Sequence, residues 1–205
     1  MENPLITAIE QRMSANFFDS TYQMPVPLIE RLVGLATRAP SAFNLQNWRF
    51  IAVRSAAAKT RLCALAWGQR KVHDAATTFI VVGALARHDV LKERLQPSID
   101  AGLMPCRMAR AWIQAARELY EGSPQQQRDE AVRSATLGAA TLMLAAQALD
   151  LASCPMSGFD SAGVANEFGL AGDELPIMLV AVGRPSTGNW PQKPRRPLAQ
   201  VLQVV

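Results

Sequence analysis

The chain has 205 residues, 49% of them hydrophobic, with 21 basic against 17 acidic side chains, a net charge of +4 and a pI near 9.3. That is enough to bury a sizeable core in one domain and too apolar for a disordered chain. The mild positive balance suits an anionic ligand, but the Lys and Arg residues are scattered; a nucleic-acid binder would rest only on the pI and the basic cluster at 193–196.

The amino terminus, Met1-Glu2-Asn3-Pro4, lacks the basic segment and apolar run of a secretory leader. Residues 4–14 read as a helix with Leu5, Ile6 and Ile9 on one side. Pro27 opens a second helix carrying Leu28, Leu32 and Leu35, which ends before Pro40 because the residue before proline avoids helical angles. Residues 48–53 alternate and are rich in aromatic and β-branched side chains, so they read as a strand. Residues 56–67 form the next helix, and 77–84 are a near-continuous apolar run, as in a strand covered on both faces. Residues 88–121 are helical with expected breaks at Pro97, Gly102 and Pro105. Ser123-Pro124 then starts a long Ala-rich helix to about residue 151. Its apolar part is interrupted by Thr136, Thr141, Gln147 and Asp150, which marks a buried helix and not a membrane span.

Residues 154–158 read as a turn, 161–168 as a short helix and 177–182 as another buried strand. The basic, Pro-rich tail from Gly183 ends in an apolar run at 198–205 with no evident partner in the chain, a first hint of a dimer. Cys63, Cys106 and Cys154 are odd in number and far apart, so they form neither a disulfide framework nor a zinc site, and read as small packed side chains. With no repeat or linker, residues 1–205 are expected to be one α+β domain in a reducing cytoplasm.

The usual catalytic sets are poorly supplied. His73 and His88 belong to no metal-spaced cluster, and there is no Gly-x-Ser-x-Gly elbow, phosphate loop or Gly-x-Gly-x-x-Gly. An enzyme built this way leaves the hard chemistry to a bound cofactor. Polar groups that could hold one gather in Ala39-Pro40-Ser41-Ala42-Phe43-Asn44-Leu45-Gln46-Asn47-Trp48-Arg49-Phe50, where Ser41, Asn44 and Gln46 carry hydroxyl and amide groups between a helix and a strand.

That segment resembles the early loop of the nitroreductase family, Ala-Pro-Ser-x-x-Asn-x-Gln-Pro-Trp-x-Phe, with Asn47 in place of the second proline. Arg12-Met13-Ser14-Ala15-Asn16-Phe17-Phe18-Asp19 resembles the family's Arg-Arg-Ser-x-Arg-x-Phe-Asp; Arg12 and Ser14 match, while Met13 and Asn16 replace basic residues. Lys193-Pro194-Arg195 resembles its C-terminal Lys-x-Arg, Lys71 in Gly68-Gln69-Arg70-Lys71 its flavin-edge lysine, and Pro155-Met156-Ser157-Gly158-Phe159-Asp160 its Pro-x-x-Gly-Phe-Asp turn. These motifs run in family order from about residue 6 to 198 and are patchy between 86 and 130. Each taken alone is an ordinary surface charge or turn.

The resemblance implies a nitroreductase-like fold, a central mixed β-sheet flanked by helices with a C-terminal extension docking on a partner subunit. It implies FMN as cofactor, NAD(P)H as electron donor, and a homodimer with flavin sites at the interface, without nucleic acid or membrane. Arg12, Ser14, Asn16, Lys193 and Arg195 would surround the phosphate and its neighbourhood. Lys71 would tune the flavin, and Pro155, Met156, Ser157 and Gly158 would approach its reactive edge. Pro40, Ser41, Ala42, Asn44 and Gln46 would contribute from the early loop, with Ser41, Ala42 and Asn44 reaching the partner's flavin. No side chain need act as nucleophile. The implied reaction is ping-pong, two-electron reduction of a nitroaromatic, quinone or similar small acceptor. The alternatives are a flavin-binding protein without turnover, or a relative that oxidises azolines, fragments flavin or removes halide. Trp67, Trp112 and Tyr120 are read as core aromatics in preference to pocket walls.

Overall fold

The computed structural model describes residues 3–205; Met1 and Glu2, part of the stretch read for a leader, lie outside them. Four strands, β1 (Trp48–Val53), β2 (Thr77–Ala84), β3 (Ala152–Met156) and β4 (Glu174–Gly183), form one sheet in the order β1-β2-β4-β3. All three pairings are antiparallel, which corrects the expected mixed sheet; parallel pairing is confined among the described residues to an isolated bridge between Ser14 and Ser153. Strand sense was not readable, because connections tens of residues long return the chain to either end of a sheet.

Among the described residues, eight helices surround the sheet: α1 (Pro4–Gln11), α2 (Val26–Ala36), α3 (Ala56–Leu65), α4 (Arg70–Asp74), α5 (Leu91–Asp100), α6 (Cys106–Tyr120), α7 (Pro124–Ala148) and α8 (Ser161–Glu167). Alternation along the central strands divides the core. Ile80, Val82, Leu179 and Ala181 pack with Leu62, Val72 and Val164 of α3, α4 and α8. Phe79, Val81, Val180 and Val182 pack with Leu32 and Leu142 of α2 and α7. Period-two side chains on a strand covered on both faces explain the unbroken apolar run of β2. Gly83 lets α7 press onto the sheet, since a Cβ there would stand 2.6 Å from the Ala131 carbonyl oxygen.

Residues 154–156, read from sequence as part of a turn at 154–158, belong instead to strand β3. Pro155 misled, but β3 lies at the sheet edge, where a residue without an N–H is tolerated. Pro97 lies inside α5 on its exposed side and does not break it. α1 stops at Gln11, so Arg12 is freed from the helix, and the short α4 was not foreseen. A third core joins α5 and α6: Leu91, Leu95, Ala109, Ala116 and Tyr120 enclose Leu45 of the early loop. Outside these cores, Leu5, Ile6 and Ile9 of α1 and Leu198, Val201, Leu202, Val204 and Val205 of the tail stay exposed.

Candidate functional site

The two ends of the chain meet. Arg12 and Ser14 line one small cavity of about 70 Å³ with Trp190, Gln192, Lys193 and Arg195. Arg12 follows the end of α1, and its Nη1 is buried without a hydrogen-bond partner. A buried guanidinium N–H left unsatisfied is costly, and an anion in this cavity would satisfy it. Lys193 and Arg195 are exposed, and Lys193 Nζ stands 5.5 Å from the centre of the Trp190 ring. Phosphate chemistry therefore fits this donor set.

The residues that bring the ends together were missed from sequence. Asn189 Oδ1 accepts from the N–H groups of Asn16 (2.7 Å) and Phe17 (3.0 Å), while its Nδ2 donates to the carbonyls of Phe17 (2.7 Å) and Ser186 (3.0 Å). Gln192 Nε2 donates to the Arg12 carbonyl at 2.8 Å. The only sequence signal was a turn-like Gly188-Asn189 pair. On its other side, the 12–17 segment meets β3, where the Ala15 N–H donates to the Ser153 carbonyl at 3.0 Å.

That contact leads to the second group of residues. Asn16, expected beside the phosphate, instead accepts from Lys71 Nζ at 3.3 Å. Lys71 lies on α4, and two residues earlier Gln69 Nε2 donates to the Gly158 carbonyl at 2.8 Å. Pro155 and Met156 belong to β3, and Ser157 and Gly158 follow it directly. Met13 packs partly into the core beneath this region. Trp67, expected in the core, is 71% exposed. It adopts φ 54° at the end of α3, and a Cβ on Gly158 would stand 3.1 Å from its ring. A left-handed bulky residue is strained, and such strain gathers at functional sites. Trp112 is partly buried and Tyr120 fully so, as expected. Cys106 is exposed, unlike the packed Cys63 and Cys154.

Pro40, Ser41, Ala42, Asn44 and Gln46 do not line the Arg12 cavity. Their loop holds a 3-10 turn, Ala42–Asn44, with positive φ at Phe43, Asn44 and Gln46. Ser41 Oγ accepts from the Gln46 N–H at 2.9 Å, and Gln46 Nε2 donates to Asn44 Oδ1 at 3.2 Å. Asn47, where the motif has proline, uses the freedom: its N–H is not needed by the loop, but its Nδ2 donates to the Ala84 carbonyl at 2.8 Å and fixes β1 against the end of β2. Among the described residues there is no cluster of three or more His, Cys, Asp or Glu side chains that could hold a metal ion, and no helix is long and apolar enough to cross a membrane.

The nitroreductase family profile matches residues 9–184. The chain is 34% identical to Protein DrgA of Synechocystis sp., over 92% of this chain and 87% of that protein. It is also 34% identical to an NADH dehydrogenase of Thermus thermophilus, over 87% of this chain and 86% of the relative. A crystal structure of an Exiguobacterium sibiricum protein assigned as a nitroreductase, in complex with FMN, superimposes with a TM-score of 0.90 at 25% identity, covering all of this chain and 99% of its own. The chain belongs to the nitroreductase family, a family of oxidoreductases, and has its α+β fold.

Proposed function

We propose that this chain is an FMN-dependent NAD(P)H oxidoreductase that reduces small acceptors such as nitroaromatics or quinones by two electrons. The observation that carries this reading is the convergence of Arg12, Ser14, Lys193 and Arg195 on one cavity, with a buried guanidinium N–H still lacking an acceptor. FMN, when bound, would supply the hydride-carrying ring. Arg12, Lys193 and Arg195 would hold its phosphate with point and forked charges, and Ser14 would add a hydroxyl donor.

Lys71, held by Asn16, would set an ammonium against the edge of the ring where reduction places negative charge, favouring the reduced state. Gln69 anchors the Gly158 turn, whose backbone would approach the reactive edge, and the missing Cβ leaves room for the Trp67 ring packed beside it. Asn16 in place of a cation thus keeps a task, that of holding the Lys71 ammonium. Ser41, Ala42 and Asn44 of the partner subunit would complete each site in a homodimer, with Pro40 and Gln46 shaping that loop. Donor and acceptor would use the same pocket in turn, and a cytoplasmic location fits a nicotinamide donor.

Replacing both Lys193 and Arg195 with Ala is expected to release FMN on desalting while the fold persists, read by bound flavin absorbance and circular dichroism. Full retention of FMN by a folded double variant would remove the phosphate assignment.

A further inference from the structure

The early loop is strained, and its shape is imposed from outside. Phe43, Asn44 and Gln46 have φ of 51°, 57° and 47°, angles that side chains other than Gly, Asn and Asp rarely adopt. Internal bonds close the turn: the Asn44 N–H donates to the Ser41 carbonyl and the Leu45 N–H to the Ala42 carbonyl. Such bonds alone do not fix where the turn points. The direction comes from α5 and α6. Leu45 is fully buried in one cluster with Leu91 and Leu95, and Phe43 sets its ring edge-on against Trp112 and Tyr120, with centroids 6.1 and 6.2 Å apart.

One polar contact accompanies this packing. Arg94, on α5 next to Leu95, donates from Nη1 to the Gln46 carbonyl at 2.8 Å. Among the described residues it is the sole hydrogen bond reaching residues 41–46 from outside the loop, and Arg94 makes no ion pair with an acidic side chain. The Gln46 N–H is held by Ser41, so both backbone groups of this left-handed residue are tied, one from within and one by Arg94.

We propose that Arg94 is the positioning residue of the cofactor loop: its guanidinium locks the Gln46 peptide and thereby aims Ser41 and Asn44. The assignment rests on the flavin reading above, in which that loop faces the partner subunit's FMN. A charged donor on a carbonyl is among the stronger hydrogen bonds, and here it acts on a backbone that would otherwise relax to negative φ. Helices α5 and α6 thereby acquire a role in flavin binding although Arg94 need not touch the flavin.

The test titrates FMN into the apo forms of the native chain and of Arg94→Met, Arg94→Lys and Arg87→Met, reading flavin fluorescence quenching and the visible circular dichroism of the bound flavin. Arg87 serves as control because its side chain pairs with Asp89 and Asp173 and makes no hydrogen bond to residues 41–46. Arg94→Met is expected to weaken FMN binding about tenfold, the worth of one charge-assisted bond, and to change the flavin dichroism. Arg94→Lys should recover most of the affinity, and Arg87→Met should bind as the native chain does. A native chain that binds FMN, with Arg94→Met matching it in affinity and dichroism, overturns the Arg94 assignment alone. An equal loss in Arg87→Met also overturns it, because the effect would then be one of general stability. A native chain that takes up no FMN overturns the flavin reading and the assignment with it.

Discussion

Asn189 shows how much of a site can depend on a side chain that carries no chemistry. Its amide satisfies two N–H groups and two carbonyls that join residues 16–17 to the C-terminal segment. Asn189→Ala is expected to destabilise the chain by about 1–3 kcal/mol and to weaken FMN binding, because Lys193 and Arg195 lose their register against Arg12; thermal melts and flavin titration check both effects. Lys71→Met is expected to slow anaerobic flavin reduction by NAD(P)H more than it weakens FMN binding, as stopped-flow traces would reveal. Tyr120 makes the opposite case. Its hydroxyl is buried without a partner, and burial pushes its pKa up to about 12. Tyr120→Phe should therefore melt at the same or a higher temperature, and a clear loss would mean that the hydroxyl has a partner in solution. At this scale the meeting of Arg12 with Lys193 and Arg195 was legible because these cations sit in ordered motifs. Asn189, Gln192 and Arg94 were not, because each bonds to backbone far away in sequence and an isolated amide or surface Arg carries no spacing signal.

Most elements were legible from periodicity and punctuation. β1 and β2 have the predicted limits, because alternation and an unbroken apolar run are strong local signals. β3 was hidden by Pro155, whose tolerance depends on an edge position that only the assembled sheet defines. The sheet also carries a long-range tie. Arg49 of β1 donates two hydrogen bonds to Glu174 of β4, at 2.7 and 2.6 Å, spanning β2. These bonds hold the Glu174 carboxyl below its usual range, against the opposing effect of burial. A lowered folded pKa means that the stabilisation is complete above the unfolded value and is lost as pH falls through the folded one. With the Arg49 side chain 44% exposed, solvent screening limits the pair to less than about 1 kcal/mol. Glu174→Gln is expected to melt slightly below the native chain at neutral pH, with the gap closing below about pH 4, as melts across the acid range would measure.

On the scale of the whole molecule, the apolar side of α1 and the tail at 198–205 remain uncovered, and the loop of Ser41 and Asn44 stands apart from the cavity of Arg12. The proposed homodimer would account for both: the tail would dock on the partner, and two partial sites would combine into one. Deleting residues 198–205 is expected to shift the protein towards monomer in light scattering and to weaken FMN retention. The acceptor of the proposed reaction was not legible, since the middle helices carry no motif. In the proposed function this chain binds a flavin which a nicotinamide reduces. The most direct measurement is the visible absorption spectrum of the purified protein, taken anaerobically before and after NADPH and then NADH. A flavin spectrum that bleaches with either donor is the expected result; a protein that shows no flavin even after incubation with FMN, or a bound flavin that neither donor bleaches, would contradict that function.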